Sequence, residues 1–335
     1  MTTAPDCGPC SANIRRFILF CLSMQAAVYA LLRRLQSGRI ISGETLAHSL
    51  GLTRSVFVRL IAQCRAAGID IRCVRGRGYF IDGGLDLLDA DALKAALPCK
   101  VEIVDECDST NTRLLEHTGE TVPRLYVCEV QTAGRGRRGN RWYSGVGDSL
   151  SFSLLWPSAL NAQQLSGLSL AVGVACLRAL QGLDIAGLGL KWPNDLMHGQ
   201  AKVGGVLIET RASVVVVGVG LNIRNAAARA AQVMQPVGDL AQFAKTLPTR
   251  TTLLAALSSG VLDALSVFEE RGFAPFRDTW QRYDLHAGQR VCLSNGDRHI
   301  EGIARGVDER GALLLLTEAG EYPFFAGELS LRKAA

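Results

Sequence analysis

Between residues 98 and 284 strand-like runs are interleaved with helix-like ones, and that alternation confines the chain to a mixed α/β architecture. VEIVDEC, LYVCEVQTA, SLSFSLLW, LGLKWP, AKVGGVLIET and SVVVVGVGLNI read as strands. Residues 109–117, LSGLSLAVGVACLRAL and residues 251–270 read as helices. The final part, 285–332, breaks into short strands at Ser294-Asn295-Gly296-Asp297, Asp308-Glu309-Arg310-Gly311 and Ala319-Gly320, the pattern of a small barrel.

The N-terminal part has a different grammar. Three helices are expected: 25–36, one opening at Ser42-Gly43-Glu44 and ending at Gly51, and one opening at Thr53 and ending at Gly68. IDIRCV and YFI then read as two strands around the turn RGRG. Helices followed by a hairpin in this order make a winged helix-turn-helix, whose third helix would point Thr53, Arg54, Ser55 and Arg59 at a major groove. Arg75 and Arg77 on the wing would meet phosphate. A protein-interaction module of the same shape is the alternative. Charge favours the first: residues 1–82 carry eleven arginines against four acids, a net of +7, within a chain whose total is +5. A basic head on a slightly acidic body points to a polyanion partner for the head alone.

The ten cysteines are scattered, with no zinc spacing, which fits a reducing cytoplasm. Cys7 and Cys10 form a C-x-x-C without the strand–helix context of a redox site. The run FILFCLSMQAAVYALL, residues 17–32, imitates a signal peptide. It is short for a bilayer span, is interrupted by Ser23 and Gln25, and is expected to open a domain as a buried helix; Met24 is a possible alternative start.

Chemistry concentrates in QTAGRGRRGNRWYS, residues 131–144. It contains a literal G-x-G-x-x-G, yet a strand follows it rather than a helix, and no acid closes a second strand about twenty residues on, so a dinucleotide site is excluded. A kinase loop is excluded by the lack of H-R-D and D-F-G. Phosphate remains the natural guest. Glycine lets backbone N–H groups approach an anion, and arginine forks grip phosphate or carboxylate with two bonds. Four arginines in the seven residues 135–141 repel one another unless an anion joins them. Three further stretches belong with the loop: Asp108-Ser109-Thr110-Asn111 at a helix start, KWPNDLMHGQAKVGGVLIE from Lys191 to Glu209, and GVGLNI from Gly218 to Ile223. Pro193 and Asn194-Asp195 are expected to turn the chain between two strands, with Lys202 beginning the second.

DSTN, QTAGRGRRG, KWPND, the Lys-x-Gly-Gly step and GVGLNI, in this order and spacing, resemble the biotin–protein ligases. The N-terminal helices make the chain similar to the bifunctional members that are also biotin-operon repressors. The resemblance runs from about residue 24 to 333. It implies four parts: a leader (1–23), a winged helix-turn-helix (24–82), a mixed-sheet ligase domain related to class II synthetase folds (83–284) and an SH3-like C-terminal barrel (285–335). It also implies a two-step reaction. Biotin and ATP, with Mg²⁺, give biotinyl-5′-AMP, and biotin then passes to a lysine of biotin carboxyl carrier protein. Operator DNA and a ligand-promoted homodimer are the other implied partners, and no membrane is.

Roles follow by resemblance. Ser109, Thr110, Asn111 and Gln131 would hold the biotin head; Arg135, Gly136 and Arg137 would fold over biotin and the adenylate phosphate. Lys202 would touch the biotin carboxylate and the α-phosphate, with Gly205 beside it. Lys191, Asn194, Asn222 and Arg141 would serve ATP, assisted by Arg332 in the tail motif GELSLR. Lys202 and Arg137 are the catalytic pair. Asp195 would either place Mg²⁺ or deprotonate the incoming lysine, or else cap the turn after Pro193; no metal ligand is assigned. The chain departs from the family pattern at Asn140, where a basic residue is common, and after Ile223, where an adenine-covering aromatic is missing. A biotin sensor without catalysis and a lipoate-type acyl ligase are the competing readings.

Overall fold

The central feature is a seven-stranded sheet whose strands stand in the order Lys100–Cys107, Arg124–Gln131, Ser149–Pro157, Val214–Asn222, Ala201–Arg211, Asp195–His198 and Gly189–Lys191. It was obtained as a computed structural model that describes residues 26–228, 235–295, 298–325 and 330–333; the side chains of 295, 298 and 330–333 lie outside the description. The chain divides into two units after Leu87.

In the first unit, helix α1 covers 26–35. It is followed by α2 (Gly43–Ser49), α3 (Arg54–Ala66) and the antiparallel hairpin β1 (Ile71–Val74) and β2 (Gly78–Ile81). Ser42 caps α2 through Thr45 N at 3.0 Å. Leu46, Phe57, Leu60, Ile61 and Ile71 form the buried side. Tyr79 packs edge-on against Phe57, with ring centroids 5.3 Å apart. Gly78 is at φ +137, and a Cβ there would stand 2.0 Å from Ile41 O, so only glycine lets the hairpin close on that segment. The expected leader, the Cys7/Cys10 pair and the start of the signal-like run lie outside the described residues.

The second unit begins with α4 (Ala90–Ala96), β3 (Lys100–Cys107), α5 (Thr110–Leu114) and β4 (Arg124–Gln131). Next come β5 (Ser149–Pro157), α6 (Leu168–Gln181), β6 (Gly189–Lys191), β7 (Asp195–His198), β8 (Ala201–Arg211) and β9 (Val214–Asn222). Helices α7 (Arg250–Arg271) and α8 (Ala274–Tyr283) follow. Only β3 and β4 run parallel; the other neighbours are antiparallel. Two elements differ from expectation. Asp195 is a strand residue of β7, not part of a turn, so a strand intervenes between the Pro193 turn and Lys202. Helix α8 has no counterpart among the expected elements; Phe276 and Trp280, one turn apart, bury its inner side.

The alternation in β5 and β9 sorts the two sheet faces. Ser151 pairs with Gly220 and Ser153 with Gly218, while Gly205 and Leu207 of β8 pair with Gly220 and Gly218. That face is small. Phe152, Leu154, Val217 and Val219 alternate with those residues and join the buried helices α6 and α7 in the main core. By length and composition α7 could cross a membrane, but Leu253, Leu254, Leu257 and Val261 are buried in that core. A fully buried Arg250 at its start meets the buried Glu129 of β4 and donates to Ser149 O. Glu129 in turn accepts from Leu88 N at 2.8 Å.

The C-terminal strands β10 (Arg290–Asn295), β11 (Arg298–Val307), β12 (Leu313–Thr317), β13 (Gly320–Phe324) and β14 (Ser330–Lys333) form an antiparallel sheet of order β13-β12-β11-β10-β14. It belongs to the same unit as the central sheet. Arg277 and Gln281 of α8 donate to Val307 O, and Trp192 donates to Gly311 O at 3.2 Å.

Candidate active site

A cavity of about 710 Å³ lies over the small-residue face of the sheet. The stretches that sequence reading grouped together line it: Ser109–Asn111, Gln131, Arg135–Tyr143, Lys191–Asp195, Lys202, Gly205–Leu207, Gly218–Gly220 and Asn222. Six cations face one acid, Asp195, among the described lining residues. The cavity therefore favours an anion, and it is far larger than one phosphate.

One end is neutral and closely bonded. Ser109, Thr110 and Asn111 are each 3% exposed. Ser109 caps α5 with a long bond to Thr112 N, 3.5 Å. Gln131 Oε1 accepts from Thr110 N at 2.8 Å. Ser153 Oγ stands 2.6 Å from Thr110 Oγ1 and 2.5 Å from the amide oxygen of Asn111. Gly218 makes room for this amide: a Cβ there would stand 2.3 Å from Asn111 Oδ1. At Gly220 a Cβ would meet the Trp142 ring at 2.6 Å. The glycines of GVGLNI thus seat side chains far away in sequence.

The glycine–arginine loop folds as a tight excursion after β4. Gly136 N donates to Asn140 O and Trp142 N to Gly134 O, closing it around a single turn at Arg137–Gly139. Trp142 Nε1 donates to Ser151 Oγ, anchoring the loop to the sheet. The four arginines diverge. Arg137 is the most enclosed; burial, assisted by Arg138 and opposed by Asp195, pushes its guanidinium below the ordinary value. It donates to Asn194 Oδ1 at 3.4 Å. Arg135 meets Glu209 at 2.7 Å. Arg138 reaches Ser294 O of β10 at 3.5 Å. Arg141 sits over the Tyr143 ring and donates to Thr132 O, an exposed position at the rim.

The cationic end is built on β7 and β8. Lys202 Nζ stands 2.6 Å from Asp195, a charge contact without hydrogen-bond alignment. Gly205 leaves space for it, since a Cβ there would be 3.2 Å from Nζ. The Lys202 backbone is held on both sides, by Pro236 O and Gly238 N. Asn194 Nδ2 donates to Val206 O at 2.7 Å, locking the turn onto β8. Asn222 is buried and gives its amide hydrogen to Gly238 O. Arg332 lies opposite Cys292 in β14; its side chain is outside the described residues. Ser153 lies outside the stretches grouped from sequence, and Trp142 and Glu209 lie inside them with no role assigned. The Ser-x-Ser-x-Ser period of β5 was the available signal for Ser153.

In the first unit Thr53, Arg54, Ser55, Arg59, Arg75 and Arg77 are all exposed. Thr53 makes no capping bond to the helix; its hydroxyl stands 3.2 Å from Ser55 Oγ.

An α/β fold with a neutral pocket leading into an arginine- and lysine-rich one defines an anion-activating enzyme site. Residues 104–224 match the Biotin/lipoate A/B protein ligase family, and residues 286–332 match the Biotin protein ligase C terminal domain. The bifunctional ligase/repressor BirA of Escherichia coli (strain K12) is 35% identical over 311 residues, covering 91% of this chain and 97% of that protein. The biotin–[acetyl-CoA-carboxylase] ligase of Paracoccus denitrificans is 32% identical over 238 residues, 66% of this chain and 96% of that one. Among solved structures, the Aquifex aeolicus biotin protein ligase in complex with biotin and ATP superposes with a TM-score of 0.63 at 31% identity, covering 70% of this chain and 99% of that one. The chain belongs to the biotin protein ligase family.

Proposed function

We propose that the chain activates biotin with ATP and transfers it to a lysine of a biotin carboxyl carrier protein, and that its N-terminal unit is a winged helix-turn-helix that represses transcription at operator DNA. The observation that carries the ligase reading is the two-ended cavity. Neutral donors and acceptors at Ser109–Asn111 and Gln131 suit a ureido head, and Arg137 and Lys202 line the part that would receive a carboxylate and a phosphate.

In the first step a carboxylate oxygen attacks the α-phosphorus, and pyrophosphate leaves. Two anions must meet, and charge grows on the α-phosphoryl oxygens, so preplaced cations matter more than a base. Lys202 and the desolvated Arg137 supply that charge. In the second step the acceptor amine attacks the carbonyl of the mixed anhydride, and AMP leaves. Asp195, beside Lys202, is the carboxylate available to the amine proton. Mg²⁺, when bound, would supply further positive charge at the phosphates, and Asp195 is the lining carboxylate that would help hold it. Lys191, Asn194, Asn222, Arg141 and Arg332 are assigned to ATP on family resemblance.

The domain boundaries proposed are 24–82, 83–284 and 285–335, the last an SH3-like barrel. Ligand-promoted pairing of two copies would present two recognition helices, α3, to half-sites about one helical turn apart or a multiple of it. Incubation with ATP, radiolabelled biotin and a carrier domain tests the ligase: no label on the carrier overturns it. Titrating DNA from upstream of the organism's biotin-synthesis genes, with and without biotin plus ATP at fixed salt, tests the repressor. Equal affinity for that DNA and random duplex removes it. If adenylate tightens DNA binding, DNA must tighten adenylate binding by the same factor.

A further inference from the structure

We infer that Glu209 is a positioning residue that latches the glycine–arginine loop to the cavity floor, so that seating the neutral head of the ligand and closing the loop become one event. This deepens the ligase reading and rests on it for the identity of the ligand. Glu209 lies near the end of β8, paired with Val216. A single carboxylate oxygen, Oε2, accepts from Asn111 Nδ2 at 2.9 Å and from Arg135 Nη2 at 2.7 Å. Its two donors come from different walls, the start of α5 and the loop after β4.

The two sides of this junction differ in freedom. Asn111 is 3% exposed, and its amide is fully used: Nδ2 also donates to Leu207 O, and Oδ1 accepts from Ser153. Rotation of that amide is blocked on the sheet side, where it already fills the space above Gly218. Arg135 has a side-chain exposure of 42%. Glu209 is therefore fixed through the buried Asn111 and holds the more exposed Arg135 at the rim. A ligand contact that displaces or tightens Asn111 is felt by the carboxylate that holds Arg135. Charge adds a second reason. The loop carries four arginines, and Glu209 offsets one of them even before an anionic ligand arrives.

Glu209→Gln keeps an acceptor for Asn111 and removes the charge opposite Arg135. Hydrogen exchange of residues 134–142 in the ligand-free protein is the readout that does not depend on catalysis. The expected result is exchange about three- to tenfold faster in E209Q, the loss of one partly exposed ion pair. R135Q, at an exposed position, should match it, and the double variant should be no faster than either single one. In a chase experiment biotinyl-AMP should leave E209Q faster by a similar factor. Loop exchange within twofold of wild type in both single variants, or additive effects in the double one, overturns the latch. Should the wild-type protein form no biotinyl-AMP, the ligase reading falls while the exchange data still decide the latch.

Discussion

Two regions of this molecule are rich in arginine, and they use it in opposite ways. Around the cavity the cations are partnered, and two of them are largely enclosed: Arg137 is desolvated and Lys202 meets Asp195, while the more exposed Arg135 meets Glu209. On the N-terminal unit, Arg54, Arg59, Arg75 and Arg77 stand exposed along one helix and one hairpin turn. Enclosure raises the effect of each charge, because water no longer screens it, and allows one cation to act on one bond. Exposure spreads the effect over a surface, where affinity comes from the number of contacts and the release of counterions. The contrast teaches that composition alone does not reveal what an arginine does; burial does.

The comparison breaks most visibly at Lys202. Lys202→Gln should lower adenylate formation by roughly 10²–10³, the cost of removing one charge contact at a developing oxyanion. Pyrophosphate release within threefold of wild type would remove Lys202 from catalysis. Salt separates the regions next. Going from 50 to 200 mM salt should weaken operator binding by about 10² per protomer if four arginines neutralise phosphates, while the rate of adenylate formation should change little. Equal salt sensitivity of both measurements would erase the distinction. A smaller effect is expected at Arg137. Arg137→Gly should release biotinyl-AMP about tenfold faster, through loss of a two-bonded clamp, and so raise labelling of bystander lysines. Unchanged bystander labelling speaks against the clamp. The smallest change sharpens the surface side: replacing Arg75 or Arg77 alone should reduce the slope of log affinity against log salt by about one unit and leave sequence preference intact.

A buried carboxyl of the second unit offers an independent pH test. Burial raises the carboxyl of Asp284, between α8 and β10, to about 6. A raised acid pKa means stability is greatest with the proton on, below the unfolded value near 4, and declines as pH rises through 6. Asp284→Asn should therefore be more stable than wild type at pH 8, by about 1–2 kcal/mol, and gain nothing at pH 4. Thermal unfolding at the two pH values checks this; an equal shift at both means Asp284 does not titrate in that range.

Local signals were enough to read much of the chain. Ser42 marks a helix start through its capping bond and Gly68 a helix end through its left-handed backbone, chemistry that acts within a few residues. The apolar runs of β5, β8 and β9 announce strands, and the order of DSTN, GRGRRG, KWPND and GVGLNI announces the family. The short β7 was hidden because LMH between Asp195 and Gly199 is too brief to show a period, and α8 because its Pro and charged residues mask the Phe276–Trp280 spacing. The order of the motifs grouped distant stretches into one site, but which side chains pair across it was not legible. Glu209 looks like the polar end of an apolar strand until the fold brings it to Asn111, 98 positions earlier, and Arg135, 74 positions earlier. Asp195 reads equally as a turn cap or as a site carboxylate until β7 and β8 pair and place it on Lys202. The sequence by itself determined which elements form, because caps, glycines and periodicity are local; tertiary structure decided which charges meet, because only the closing of the sheet sets distances between residues so far apart along the chain.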